Sequence, residues 1–177
     1  MPEYRRRSIR LWEYDYAQAG AYDITICVQH RACLFGEVHD EVMQVNPAGQ
    51  AIQARWDDIP FRFEMVRIDE MVIMPNHVHG ILLFDAEPPL EDHPVSLGQV
   101  VQWFKTMTTN DYIHGVKMQG WQPFPGRLWQ RNYYEHIIRN DRDLERIRSY
   151  IEANPSRWTD DTENPNRLTN ESHNNNS

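Results

Sequence analysis

The tract from Phe61 to Phe84, FRFEMVRIDEMVIMPNHVHGILLF, commits the chain to a sheet. FRFEMVRIDEMVIM reads as two strands with Asp69-Glu70 near their turn, and HVHGILLF continues as a strand after the break at Pro75-Asn76. Upstream, AYDITICVQH alternates and is rich in β-formers, which makes it a first strand. Between these segments, DEVMQVNPAGQAIQARWDDIP carries apolar residues near helical spacing and ends at Pro60, so it contains a helix interrupted or entered around Pro47. Downstream, EPPLEDHP is a loop. VSLGQVVQWFKTMTTNDYI is helical, with Val100, Phe104 and Met107 on one face. GRLWQRNYYEHII is a strand candidate, and NDRDLERIRSYIEAN is the clearest helix in the chain. The order β-α-β-β-α-β-α predicts an α+β fold. The simplest form is a ferredoxin-like sandwich, with a central antiparallel sheet, helices on one face and a C-terminal helix added to that core.

At 177 residues the chain suffices for one domain with a core and not comfortably for two. The expected domain is 1–158. The remainder, TDDTENPNRLTNESHNNNS, is polar and Asn-rich, cannot bury enough surface to offset its ordering entropy, and is expected to be a disordered tail over 159–177. No apolar run is long enough to span a membrane. The start, MPEYRRRSIRLWEYDY, is basic and then aromatic and lacks the apolar stretch of a secretion signal. Cys27 and Cys33 are the only cysteines, which suits a reducing cytosol and is too few for a cysteine-based zinc site. A cytoplasmic protein follows as the expectation.

His77 and His79 flank Val78 within an expected strand. At a period of two both imidazoles leave the same face while Val78 points to the other, close enough together to bind one metal ion. The plain alternative is a pair of histidines beside a turn with no ligand. The break at Pro75-Asn76 before them and the apolar run Ile81-Leu82-Leu83 after them anchor the pair in a strand.

On NDRDLERIRSYIEAN, Asn140 can cap the helix, and Asp141 and Asp143 suit its positive end. At 100° per residue, Leu144, Ile147 and Ile151 form an apolar stripe for packing on the sheet. Tyr150 and Asn154 fall together on one edge of the stripe, one turn apart, with Arg142 and Arg146 further round on that side. Glu145, Glu152 and Asp141 fall opposite, so that flank is expected to be free of acids. The alternative is an edge tyrosine with Asn154 ending the helix before Pro155.

MPNHVHGILL (Met74 to Leu83), followed by LWQRNYYEHIIRNDRDLERIRSYIEANPSRW (Leu128 to Trp158), closely resembles the single-tyrosine HUH transposases, nearest to the REP-associated tyrosine transposases. The resemblance runs from about Tyr4 to Trp158 and fails in the tail and the acidic loop. It implies that His77 and His79 bind Mg²⁺ or Mn²⁺, that Tyr150 is the nucleophile, and that Asn154, where the family more familiarly has Gln, completes the metal site. It further implies a 5′-phosphotyrosine product with a free 3′-OH that later reseals the strand. The partner would be single-stranded DNA, in hairpins or REP-like palindromes, bound by a monomer or a homodimer that associates with the nucleoid. Arg5, Arg6 and Arg7, beside Tyr4 and Trp12, resemble the family's start and are candidate DNA contacts, as are Arg142 and Arg146.

Net charge argues the other way. At −8 the chain lacks the basic footprint usual in nucleic-acid binders. Its acids concentrate in the tail and in DAEPPLEDHP, while arginines cluster at the start and from Arg127 to Arg157. Local patches decide phosphate contact more than the total does, although that total still predicts weak non-specific affinity for duplex DNA. Two other readings compete. A non-catalytic nucleic-acid-binding module would bind without metal and without Tyr150. A small metallohydrolase using His77 and His79 would turn over without a covalent adduct.

Overall fold

A computed structural model describes residues 20–85 and 95–167. Six strands are present: β1 (Gly20–Cys27), β2 (Gly36–His39), β3 (Val42–Val45), β4 (Val66–Met74), β5 (His77–Phe84) and β6 (Tyr134–Ile138). The helices are α1 (Pro47–Asp57), α2 (Ile59–Arg62), α3 (Leu97–Gln119) and α4 (Asp141–Glu152). Strands β4-β5-β1-β6 form one sheet in that order, every neighbouring pair antiparallel. This is the antiparallel α+β architecture expected, with the βαββαβ connectivity of a ferredoxin-like sandwich once the β2–β3 hairpin is set aside.

Three elements differ from the sequence expectation. Asp69-Glu70 is no turn. Phe61 and Arg62 belong to α2, and β4 is one strand whose register passes from Ile68↔Leu82 to Met71↔Gly80. Three steps on β4 match two on β5, so one extra residue is absorbed as a bulge. The segment before Pro47 is a strand, so of the two readings around Pro47 the helix is entered there and not interrupted. Val42–Val45 pairs with Gly36–His39 across Asp40 and Glu41, both at positive φ (48° and 64°), a turn that matches strand twist. The helix is entered at Pro47, whose missing N–H costs nothing at the first position, and Asn46 Oδ1 caps it by accepting from Gly49 N at 2.9 Å. Finally, only Tyr134–Ile138 of GRLWQRNYYEHII is strand, with Trp129 touching Val28 in a single bridge.

Alternation along the strands sends one set of side chains to each face. Tyr22, Ile24 and Ile26 of β1, Val78 of β5 and Ile73 of β4 meet Trp56 of α1 and Phe104 of α3 in the main core. Gly80 permits this approach, because a Cβ there would lie 2.6 Å from Trp56 Cζ2. The opposite face is not open. Ile81 and Ile138 pack there with Ile147 and Ile151 of α4, so the added helix covers the second face with its expected stripe. The bulge supports it, since Asp69 takes two bonds from the Arg148 guanidinium, at 2.8 and 2.5 Å.

The described chain continues past the expected boundary at 158. Pro155–Asp160 forms a 3₁₀ turn, and the chain stays packed through Asn164, which is buried. Polar composition did not prevent this, because the segment is held by hydrogen bonds instead of apolar burial. Asn164 Nδ2 donates to Trp158 O, and Asp161 Oδ1 accepts from Glu163 N. Residues 168–177 and Arg5, Arg6 and Arg7 lie outside the described residues. Among the described residues, no helix is long and apolar enough to cross a membrane.

Candidate functional site

The face of the sheet under the end of α4 carries the histidines. His77 is registered against Cys27 and His79 against Thr25, so β1 contributes Asp23, Thr25 and Cys27 beside them. α4 contributes Tyr150, and Asn154 follows just past the helix end. All four residues singled out as nucleophile and ligands line one cavity of about 380 Å³ within a single chain.

His77 is buried, and its tautomer follows from its neighbour. Asn76 Nδ2 donates to Arg31 O at 3.1 Å and to Glu163 O at 2.7 Å, which turns its Oδ1 toward His77 Nδ1 at 3.0 Å. That oxygen can only accept, so Nδ1 carries the proton and Nε2 is left with a lone pair. Asn154 is oriented in the same way. Its Nδ2 donates to Tyr150 O at 2.7 Å, leaving the amide oxygen to face the His77 ring in an arrangement that favours imidazolium. Asp161 Oδ2 stands 3.8 Å from Nε2. Burial nevertheless pushes the His77 imidazole down to about 4. Asp161 and Asn154 act against the fall, and His79 adds to it. Acceptors thus converge on a neutral ring.

His79 lies beside Asp23, whose Oδ1 is 2.5 Å from Nε2. The Tyr150 ring sits edge-on to His79 at 5.4 Å between centroids, with the Arg157 guanidinium 5.7 Å from its own centroid. Tyr150 remains 46% exposed, so its phenol is accessible to a polymer substrate.

The flank of α4 is not free of acids. Asp143 binds Arg146 at 2.6 Å and His136 at 2.9 Å. It lies seven residues before Tyr150, two turns back on the same side. Arg142 is exposed, and neither arginine lines the cavity. Asp23, Asn76 and Asp161 were not anticipated. Asp23 had a signal, as a lone carboxylate in phase with Thr25 and Cys27 in a strand otherwise made of β-formers. Asn76 was visible only as part of a turn, and Asp161 only as part of a polar tail. Among the described residues, no three side chains of the His, Cys, Asp or Glu types cluster as a metal site. The Asn154 side chain lines the same cavity as the two imidazoles. Two imidazoles, an amide and nearby carboxylates form a nitrogen and oxygen donor set that Mn²⁺ accepts readily and that has oxygen donors for Mg²⁺.

Residues 19–154 match the family model described as transposase, IS200 like. A protein of Haemophilus influenzae (strain ATCC 51907 / DSM 11121 / KW20 / Rd), itself uncharacterized, is 38% identical over 178 residues, covering 89% of this chain and 92% of its own. A second protein of that organism, named provisionally as a REP-associated tyrosine transposase, is 26% identical over 155 residues, covering 88% of this chain and 76% of its own. The fold is shared with the solved structure of a REP-associated tyrosine transposase bound to a REP hairpin. That likeness has a TM-score of 0.56 at 21% identity, over 89% of this chain and 74% of the other. With most of its length matched by the family model, and with the histidine pair and the tyrosine helix inside the matched residues, this chain belongs to the IS200-like transposase family.

Proposed function

We propose that this protein is a metal-dependent single-stranded DNA endonuclease and strand transferase that forms a covalent 5′-phosphotyrosine intermediate on hairpin or palindromic DNA. The observation that carries the reading is the convergence of an exposed phenol, a neutral buried imidazole and an oriented amide oxygen on one cavity. Bound Mg²⁺ or Mn²⁺, held by His77, His79 and Asn154, supplies charge neutralisation and orientation of the scissile phosphate.

The chain's own groups do the rest. Tyr150 Oη attacks phosphorus, a Tyr–O–P bond forms, and the bond from phosphorus to the 3′ oxygen breaks. The phenolic proton leaves and the departing 3′ oxygen gains one, giving a free 3′-OH. The phosphodiester count is unchanged, so the reverse attack reseals the strand without an external energy source. Asp23 fixes His79, and Asn76 fixes His77, so the ligand nitrogens are set before substrate arrives. The Arg157 guanidinium packs against the Tyr150 ring, 5.7 Å from its centroid, and helps to hold the nucleophile in place. The relative bound to a REP hairpin supports hairpin DNA as the substrate class.

The test is cleavage of labelled single-stranded hairpin DNA with Mg²⁺ or Mn²⁺ and with chelator, for wild type, Tyr150→Phe and His77→Ala. A metal-dependent protein–DNA adduct in wild type, absent from both variants, is expected. Binding without any adduct across a panel of hairpins favours a non-catalytic module instead. Cleavage that persists in Tyr150→Phe removes Tyr150 as nucleophile.

A further inference from the structure

α4, which carries Tyr150, is pressed on the sheet by a small apolar contact. Ile147 and Ile151 meet Ile81 and Ile138, whereas the main core draws on α1, α2 and α3. Apolar attraction has no direction, so this contact does not by itself fix the rotation of the helix about its axis. Two side-chain ties supply direction. Asp143 meets His136 of β6 at 2.9 Å, and Arg148 donates to both carboxylate oxygens of Asp69 in β4, at 2.8 and 2.5 Å. β6 and β4 are the opposite edges of the sheet. At about 100° per residue, the ties also leave α4 on opposite flanks of the stripe Leu144, Ile147 and Ile151, with Tyr150 on the flank of Asp143. The Asp69–Arg148 tie is the firmer. Its fork of two bonds sets an orientation as well as a distance, and Glu145 steadies the guanidinium at 2.5 Å. The His136 side chain is 52% exposed, against 13% for Asp69.

Asp69 reaches Arg148 because β4 is bulged. Ile68 and Met71 both pack in the main core although they stand three apart in the chain, and Asp69 and Val72, also three apart, both lie on the α4 face. In an unbroken pleat with Val72 on that face, Asp69 would point into the core. The extra residue thus re-aims a carboxylate toward the helix of Tyr150, a use of bulges that recurs next to active sites.

We infer that Asp69 and Arg148 are positioning residues for Tyr150: their paired hydrogen bonds set the rotation of α4 on the sheet and hold the phenol at the histidine cavity. The inference rests on the proposed nuclease reading and adds what places its nucleophile. Tyr150 meets that cavity as an exposed side chain, its ring 5.4 Å from that of His79 between centroids. Arg148 stands two residues before it, about 200° round the helix, so a rotation of α4 that lengthens the tie swings the phenol through a similar arc. Attack geometry is sensitive on that scale, since a misplacement of about 1 Å can cost about 10²-fold in rate.

The probe is 3-fluorotyrosine in place of Tyr150, read by fluorine NMR without metal or DNA. In parallel, the single-turnover rate of adduct formation is measured on saturating hairpin DNA with Mn²⁺, in proteins that keep Tyr150. Asp69→Ala and Arg148→Ala are each expected to shift or broaden the fluorine resonance and to slow the adduct about 10–100-fold, with hairpin affinity in chelator unchanged. The double variant is expected to be no slower than either single, because the same tie is lost in all three. Arg148→Lys keeps the charge beside Asp69 but not the fork, so it is expected to move the resonance and slow the reaction in the same direction. It carries the test if an alanine variant unfolds at the assay temperature. Arg55→Ala is the control. It breaks a comparable pair with Asp111, between α1 and α3, and is expected to lower the melting temperature while leaving resonance and rate as in wild type. A wild-type resonance, or a wild-type rate, in folded Asp69 and Arg148 variants overturns the inference. So does an equal loss of rate in Arg55→Ala, which would make the pair merely structural. No adduct from wild type on a panel of hairpins, with the resonance still moved by Asp69→Ala, sinks the nuclease and keeps the setting of α4.

Discussion

Asn76 Oδ1 accepts the Nδ1 proton of His77 at 3.0 Å, and this bond decides which nitrogen of the histidine is free for the cavity. The Asn76 amide in turn closes on Arg31 O and Glu163 O. Asn76→Ala removes all three bonds from a buried position. The expected cost is about 1–3 kcal/mol of stability, from carbonyls left without a donor. Mn²⁺ affinity is expected to fall about 10–100-fold, because the ring is no longer held in one tautomer. Chemical denaturation and calorimetric Mn²⁺ titration read the two effects separately. Wild-type Mn²⁺ affinity in Asn76→Ala would remove the positioning role.

The bulge in β4 ties the sheet to α4 through Asp69 and Arg148. The Arg148 hydrogen bonds hold the Asp69 carboxyl below its usual value, against an opposing effect of burial. A depressed folded-state value means that the contribution is present above the unfolded value of about 3.9 and is lost as pH falls through the folded value. Asp69→Asn is therefore expected to lower stability by about 1 kcal/mol near neutral pH, a modest figure because Arg148 is partly exposed. The gap between variant and wild type is expected to close in acid. Urea unfolding at a series of pH values measures this, and a gap that widens in acid contradicts it.

Gly80 follows the histidine pair because a ring lies over it. An added Cβ would stand 2.6 Å from Trp56 Cζ2 and 2.8 Å from Cη2, and a buried indole has little room to yield. Gly80→Ala is expected to cost about 1–3 kcal/mol as overpacking. It should appear as a lowered melting temperature, together with weaker Mn²⁺ binding from a displaced His79. A melting temperature equal to wild type would mean that α1 shifts freely, contrary to the packing described.

Truncation distinguishes the segment after α4 from a passive tail. A chain ending at Trp158 loses Asp161, the Glu163 carbonyl that Asn76 uses, and the buried Asn164. One ending at Arg167 keeps them. The shorter chain is expected to lose about 1–3 kcal/mol relative to the longer, from the exposed or unpartnered polar groups around Asn76. Equal stability of the two in urea would mean that residues 159–167 add nothing to the fold.

Periodicity was enough for the parts of this protein that depend on local pattern. The alternation in HVHG predicts both imidazoles on one face, and the structure has them there because a strand has no other way to present residues two apart. The stripe Leu144, Ile147, Ile151 predicts the packing face of α4, and the four-residue spacing of Tyr150 and Asn154 brings them to one turn. Asp69-Glu70 reads as a turn in the sequence and is a bulge in the structure, because the distinction is set by the register of β5, a strand that follows it in the chain. The placement of α4 over the second face likewise depends on which apolar face of the sheet remains after α1 and α3 have packed. Asp23, Asn76 and Asp161 come from three separate segments and meet only in three dimensions. The sequence by itself determined the histidine pair, the tyrosine helix and the antiparallel order. Only the tertiary structure decided what surrounds them, because hydrogen-bond partners and burial are properties of folded neighbours and not of chain spacing.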